Sequence, residues 1–252
     1  MCGRYASSRK PEDLVEEFEI DKVTEKHLDA DYNVAPTKDV YAVLERTPRD
    51  APAKAPAERR LTVVRWGLVP SWAKDAKIGN RMINARMETL AEKPAFKRAF
   101  AKRRCLLPAD GYYEWYPTQQ LGKSGKPLKQ PFFIRPADGS VLAMAGLYEI
   151  WRDPSVPEDQ EGAFLWTTTV ITTSAEDDLG QIHDRMPMIV EPERFSAWLD
   201  PDVSEPEELR TLLVPAAPGR LEAYPVSTAV NNVRNNGHEL VEPLAAEGAD
   251  PA

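Results

Sequence analysis

Only two of the 252 residues are cysteine and only three are histidine. Cys2 and Cys105 are too few for a disulfide framework, so a reduced, cytoplasmic setting is expected. Taken with His27, His183 and His238 they show no paired ligand spacing of the kind a zinc site uses. No metal and no cofactor is therefore expected. No apolar run approaches the roughly 20 residues of a membrane span. The start of the chain is followed by polar residues and an acidic amphipathic stretch, so no signal peptide is expected either. Internal repeats are missing, as is any linker that would divide two cores. What remains is a chain with 42% hydrophobic residues, ordinary for a globular protein and long enough to bury a substantial core.

The net charge of −8 argues at first against a polyanionic partner. Its distribution argues differently. Residues 65–104 hold eleven Lys or Arg against three acids, a local +8 that leaves −16 on the rest of the chain. Such a segment can be an electrostatic footprint for nucleic acid, or a solvated face balanced by acidic neighbours.

Residues 8–20 read as a short helix, with Pro11 in its first turn and Leu14, Val15 and Phe18 on one face. Strands are expected at residues 40–44, 61–69, 132–135, 141–150, 164–173 and 188–190. Residues 104–108 and 112–116 suggest a hairpin, and residues 117–130 a flexible tip. Helices are expected after Pro94, from a capping box at Ser174–Asp177 to about Gly180, and over residues 192–199 and 206–213. Residues 224–236 read as irregular, and residues 241–252 as a disordered tail. Many short strands with few helices predict one α+β domain with curved, largely antiparallel β-sheets and flanking short helices.

The first five residues, Met1-Cys2-Gly3-Arg4-Tyr5, carry the most distinctive chemistry. Removal of Met1 would leave Cys2 with a free α-amine beside its thiol, a 1,2-aminothiol that no internal cysteine supplies. An α-amine has a pKa of about 7.7–8.0 and is substantially nucleophilic near neutrality. A thiol at about 8.5 can be drawn to thiolate by nearby cations. The amine condenses with an aldehyde to an imine, and the sulfur can then close a thiazolidine ring on the same carbon. That second attack is intramolecular and gains the advantage of proximity. Taken alone, the dipeptide reads more simply as an unprocessed start.

Four further features are ambiguous one by one. Asn84 and Arg86, two apart, could face one site together, the amide orienting an amine and the guanidinium clamping phosphate. Equally, Asn84 could cap the following helix. Glu114 lies among aromatics in Gly111-Tyr-Tyr-Glu-Trp115, which would raise its pKa, unless the strand turns it to solvent. His183, beside Asp184 and Arg185, suits a titratable imidazole, whereas His27 and His238 read as structural. Pro70-Ser71-Trp72 presents a ring for base stacking, although each tryptophan alone reads as core.

Their joint order is specific. Met1-Cys-Gly-Arg-Tyr5, Tyr32-Asn-Val-Ala-Pro36, Trp66-Gly-Leu-Val-Pro-Ser-Trp72 and Asn84-Ala-Arg-Met-Glu-Thr89 come first. Arg104-Cys-Leu-Leu-Pro108, Gly111-Tyr-Tyr-Glu-Trp115, Ala145-Gly-Leu-Tyr148 and Ile182-His-Asp-Arg-Met-Pro187 follow, with Pro225-Val-Ser227 and Asn232-Val-Arg234 near the end. This succession closely resembles the SOS-response-associated peptidase (SRAP) family of abasic-site processing proteins, over residues 2–240. The resemblance implies a barrel-like core to those sheets, loss of Met1 and a reversible covalent thiazolidine crosslink between Cys2 and an abasic site in single-stranded DNA. It implies Cys2, Asn84, Glu114 and His183 as catalytic residues. Arg4, Arg86, Trp72, Pro70, Arg185 and Thr172 would contact the strand. It further implies a monomer in the cytoplasm, nucleoid-associated when acting on DNA, with autocatalytic Met1 removal and a lyase side activity. Two other readings share parts of the pattern: an N-terminal-nucleophile amidohydrolase of the glutaminase kind, and a non-covalent DNA reader.

Overall fold

The computed structural model describes residues 2–48, 52, 55–175, 179–215, 217 and 219–245. Met1, two residues of the expected capping box (Glu176 and Asp177), and the chain from residue 246 lie outside the described residues. The chain opens with β1 (Tyr5–Ser7), α1 (Pro11–Phe18), β2 (Lys22–Val23), β3 (Asp31–Val34), β4 (Asp39–Arg46) and β5 (Glu58–Trp66). A detour through a 3-10 helix, Ala76–Arg81, leads to β6 (Asn84–Arg86) and α2 (Lys97–Lys102). Four long strands follow after the short β7 (Arg104–Ala109) begins the series: β8 (Gly111–Leu121), β9 (Pro127–Pro136), β10 (Leu142–Arg152) and β11 (Phe164–Ser174). The last part comprises α3 (Leu179–Ile182), β12 (Arg185–Pro187), α4 (Phe195–Leu199), α5 (Pro206–Leu212) and β13 (Leu221–Pro225).

Five strands close on themselves. β4 pairs antiparallel with β5 and β7, β7 with β10 and β10 with β11. The ring shuts where β11 pairs parallel with β5 at Thr167↔Arg65 and Thr168↔Trp66. Closure removes open edges from the core strands. Alternation splits these strands between two cores. Tyr41, Val43, Leu106, Ala145 and Ile171 meet the helical residues Leu14, Phe18, Phe100, Trp198 and Leu209. Val40, Ala42, Leu44, Cys105, Leu107, Met144 and Val170 belong instead with Tyr5, Val34, Tyr112 and Ile134 of a second, five-stranded sheet ordered β13-β9-β8-β1-β3. The architecture is thus α+β with a closed five-stranded barrel, as expected.

Several local expectations change. Residues 104–108 and 112–116 do not form a hairpin, because β7 joins the barrel while β8 pairs with β9 and β1. Gly111 permits the crossing between sheets: a Cβ there would lie 2.5 Å from the Phe133 ring. Residues 117–130 are largely strand, with β8 and β9 continuing outward as a long ribbon. The strand placed at residues 188–190 lies instead at β12, and β13, for which no strand was expected, runs two residues into the stretch read as irregular. Gly180 sits inside α3 rather than ending it. The chain stays attached to the sheet beyond residue 240, since Leu244 N–H donates to the Pro225 carbonyl at 2.9 Å.

The basic segment is not one patch. Arg104 is buried and donates to the carbonyls of Trp198, Phe100, Ala101, Asp200 and Val203. Burial lowers its pKa to about 10, and its work is to join α2, β7 and α4. Arg103 pairs with the buried Glu149. Lys74, Lys77, Arg81 and Arg86 are exposed along the detour before and in β6. Among the described residues no helix is long and apolar enough to cross a membrane.

Candidate active site

The Trp66-Gly67 pair builds one wall. β5 ends at Trp66, and Gly67, at φ +128°, turns the chain away. A side chain is excluded at Gly67, where a Cβ would sit 2.7 Å from the Gly79 carbonyl oxygen. After the detour the chain is brought back to the same strand, so β6 pairs with Val170–Thr172 of β11 just beyond the β5 pairing. The buried Trp66 indole fixes that return by donating to the Ile83 carbonyl at 2.9 Å. On β6, Ala85 points into the helical core, which leaves Asn84 and Arg86 on the opposite face.

Asn84 does not cap the 3-10 turn that follows. Its Nδ2 donates to the Cys2 carbonyl at 2.8 Å, while its Oδ1 is buried without a hydrogen-bond partner among the described residues. Cys2 itself is fully buried (0% exposed) beside Tyr5 and Tyr112. Burial, then the charge of Glu114, push the thiol well above its ordinary pKa. The expectation that cations draw it to thiolate is therefore corrected: burial and the Glu114 carboxylate outweigh the opposing positive charge, and the thiol is held protonated.

The second wall is β8. Tyr112 lies in the core that holds Cys2, whereas Tyr113 packs on the far side of the sheet. Glu114, two residues beyond Tyr112, shares its face, so alternation turns the carboxyl inward. It is 3% exposed, and burial raises its pKa to about 7. His183, in the turn between α3 and β12, brings Nε2 to 4.0 Å from Glu114 Oε2. Burial lowers its pKa, with Asp184 opposing, so the imidazole is neutral at physiological pH.

Cys2, Asn84, Glu114 and His183 thus converge from four separated segments. The other six candidates divide. Arg86 and Trp72 are exposed, Trp72 by 58%, whereas Pro70, two residues earlier, is buried. Arg4 is half-buried, donating to Asn33 Oδ1 at 2.6 Å and the Val230 carbonyl at 2.9 Å, and lies over the Trp115 ring. Arg185 is 11% exposed and committed to Glu88 and Thr172. Thr172 is buried with its hydroxyl turned to Arg185, so it has no route to a strand except through that guanidinium.

Sequence reasoning missed Asn33, Glu88 and Tyr112. Asn33 is fully buried and shares its amide among the carbonyls of Val230, Asn232 and Asn235, tying the start of the chain to the Asn-rich stretch. Its place in Tyr32-Asn-Val-Ala-Pro36 was the available signal. Among the described residues, no group of three His, Cys, Asp or Glu gathers to hold a metal ion.

Comparison with known proteins bears on the chain as a whole. The family profile described as SOS response associated peptidase (SRAP) matches residues 1–233. Abasic site processing protein YoqW of Bacillus subtilis (strain 168) is 40% identical over 243 residues, covering 96% of this chain and 99% of that protein. Abasic site processing protein YedK of Escherichia coli (strain K12) is 34% identical over 249 residues, covering 97% and 100%. A crystal structure of a protein from Bacteroides thetaiotaomicron superposes with a TM-score of 0.78 at 26% identity, covering 97% of this chain and 100% of that one.

Proposed function

The chain belongs to the SRAP family, and from that premise we propose that it processes abasic sites in single-stranded DNA by covalent capture. Met1 is first removed, autocatalytically, which exposes the α-amine of Cys2. The amine adds to the ring-opened aldehyde of the abasic sugar, and loss of one water gives an imine. The thiol then adds to the imine carbon, its proton ends on the nitrogen, and a thiazolidine results. Atoms balance with one water released, and nothing is oxidised or reduced.

The electrostatics suit this sequence of events. A thiol kept protonated by burial and by Glu114 does not compete with the amine for the aldehyde. Glu114, with a pKa of about 7, is divided near neutrality between base and acid. It accepts the thiol proton as the C–S bond forms, and neutral His183 relays a proton at the carbinolamine stage. The Asn84 amide holds the Cys2 carbonyl, which limits how the amine and thiol can turn. Ring closure removes the C=N bond that promotes β-elimination, and so protects the strand. A terminal amine without the sulfur would act as a lyase.

Arg86 and Trp72 are the exposed groups suited to phosphate and base. Arg4 contributes its remaining donors, Pro70 opens the turn that carries Trp72, and Arg185 with Thr172 supports the site from within. The net −8 charge makes affinity depend on this focused face rather than on overall attraction. The protein acts as a monomer.

The observation that supports the reading most is that Asn84 and Glu114, from β6 and β8, both act on Cys2. Incubation with a labelled abasic single strand, run on a denaturing gel, is the test. The processed wild type should give a shifted band and Cys2→Ala none, with cleaved strand in its place. An equal shifted band from Cys2→Ala would rule out the thiazolidine; binding without any shifted band would favour a non-covalent reader.

A further inference from the structure

Arg185 opens β12, and both its side chain and its backbone are engaged. Nη1 and Nη2 donate to the two carboxylate oxygens of Glu88 at 2.6 and 3.1 Å, a bidentate pair. Nη2 also donates to the Thr172 carbonyl at 2.6 Å. Its backbone N–H donates to Nδ1 of His183 at 2.9 Å. A backbone amide can only donate, so the nitrogen that accepts from it carries no proton. The proton of the neutral ring is then on Nε2, the nitrogen that faces Glu114.

A second group competes for Nδ1. Asp184 Oδ1 lies 3.0 Å from it, and a carboxylate there favours a proton on Nδ1. Asp184 is 87% exposed and belongs to the same turn, so the geometry of the turn bears directly on the choice between the two. That geometry is set through Arg185, whose backbone pairs with Ser174 and whose guanidinium is held by Glu88. Among the described residues, Glu114 from β8 and Lys129 from β9 also act on the ring by charge.

We infer that Glu88 is a positioning residue: its grip on Arg185 fixes the turn so that His183 presents Nε2–H to Glu114. The inference rests on the function proposed above, in which those two groups pass protons. Glu88 follows β6 in the 3-10 turn Met87–Thr89. One short run of chain therefore orients both halves of the site, Asn84 on Cys2 and Glu88 on Arg185. Without Glu88 the guanidinium keeps its bonds to Thr172 and Ser174 but loses the bidentate clamp on its outer side, the turn relaxes, and the ring shifts toward Asp184 as its partner.

With only three histidines in the chain, ring nitrogen spectra of protein labelled with 15N-histidine resolve His183 directly. Above its pKa, the wild type should show the Nε2–H tautomer. Glu88→Ala should show a mixture with Nδ1–H, and adduct formation up to about 100-fold slower, as for a misplaced catalytic group. Glu88→Gln keeps one acceptor and should shift less in the same direction; it carries the test if the alanine variant does not fold. An unchanged tautomer in the folded variants would overturn the inference, even if the rate fell. A wild type that forms no adduct would overturn the proposed function and leave the tautomer comparison to decide on Glu88.

Discussion

Replacing Glu114 by Gln should stabilise the protein in alkaline solution and not in acid. Burial moves this carboxyl from an ordinary 4.5 to about 7. Below pH 4.5 it is protonated whether the chain is folded or not, and contributes nothing. Between the two values the unfolded chain is ionised and the folded chain is not. The folded state then binds more protons, so stability falls as pH rises. Above 7 both states are ionised and the whole cost of burying the charge remains. At about 1.4 kcal/mol per pH unit this interval amounts to about 3 kcal/mol. Gln has the same shape and no charge, so at pH 8 the variant should escape most of that cost. For a chain of this size about 1 kcal/mol moves the melting temperature by roughly 2–4 °C, so the gain could reach about 10 °C. At pH 4.5 the two proteins should melt together, or the variant slightly lower. The assay is thermal unfolding of both proteins across this range. A melting difference that is the same at pH 4.5 and pH 8 would show that the carboxyl is not held protonated by burial, and the acid–base role would lose its physical basis. The variant should also be nearly inactive, so that activity and stability part in opposite directions.

Asn84→Ala removes the 2.8 Å bond to the Cys2 carbonyl, and should slow adduct formation about tenfold, the rate equivalent of about 1.4 kcal/mol; a fold-neutral variant with wild-type single-turnover rate would contradict the orienting role. Trp72 and Trp66 should separate binding from stability. Trp72→Ala should leave unfolding within about 0.5 kcal/mol of wild type yet weaken single-strand binding by about 1–3 kcal/mol. Trp66→Ala, at a fully buried site, should cost about 3–5 kcal/mol of stability. Comparable denaturant midpoints for the two variants would refute the assignment.

The strands of the barrel were readable because β-branched alternation is a local property. Most of β4, β5, β10 and β11 lies where the pattern predicts. Barrel closure was not readable, since the pairing of Thr167 with Arg65 joins distant parts of the chain and leaves no local mark. The same limit explains β7 and β8: two adjacent apolar runs look like a hairpin, and only the glycine between them hints that they enter different sheets. In the site, period two correctly suggested that Asn84 and Arg86 share a face. For Glu114 the period offered two faces, and the choice came from packing Tyr112 against Cys2. Arginine was the least legible residue. Arg86 is free at the surface, Arg4 and Arg185 are tied internally, and Arg104 is buried among carbonyls. The sequence marks all four as cations, and only tertiary contacts decide which remain free for a phosphate.

The most direct measurement is the intact mass of the protein recovered after incubation with an abasic single strand. Covalent capture by a processed amino terminus predicts a species equal to the chain without Met1, plus the strand, less one water, and stable without added reductant. An adduct of the same stability on a chain that still carries Met1 would contradict it, because no free amine would then stand beside the Cys2 sulfur.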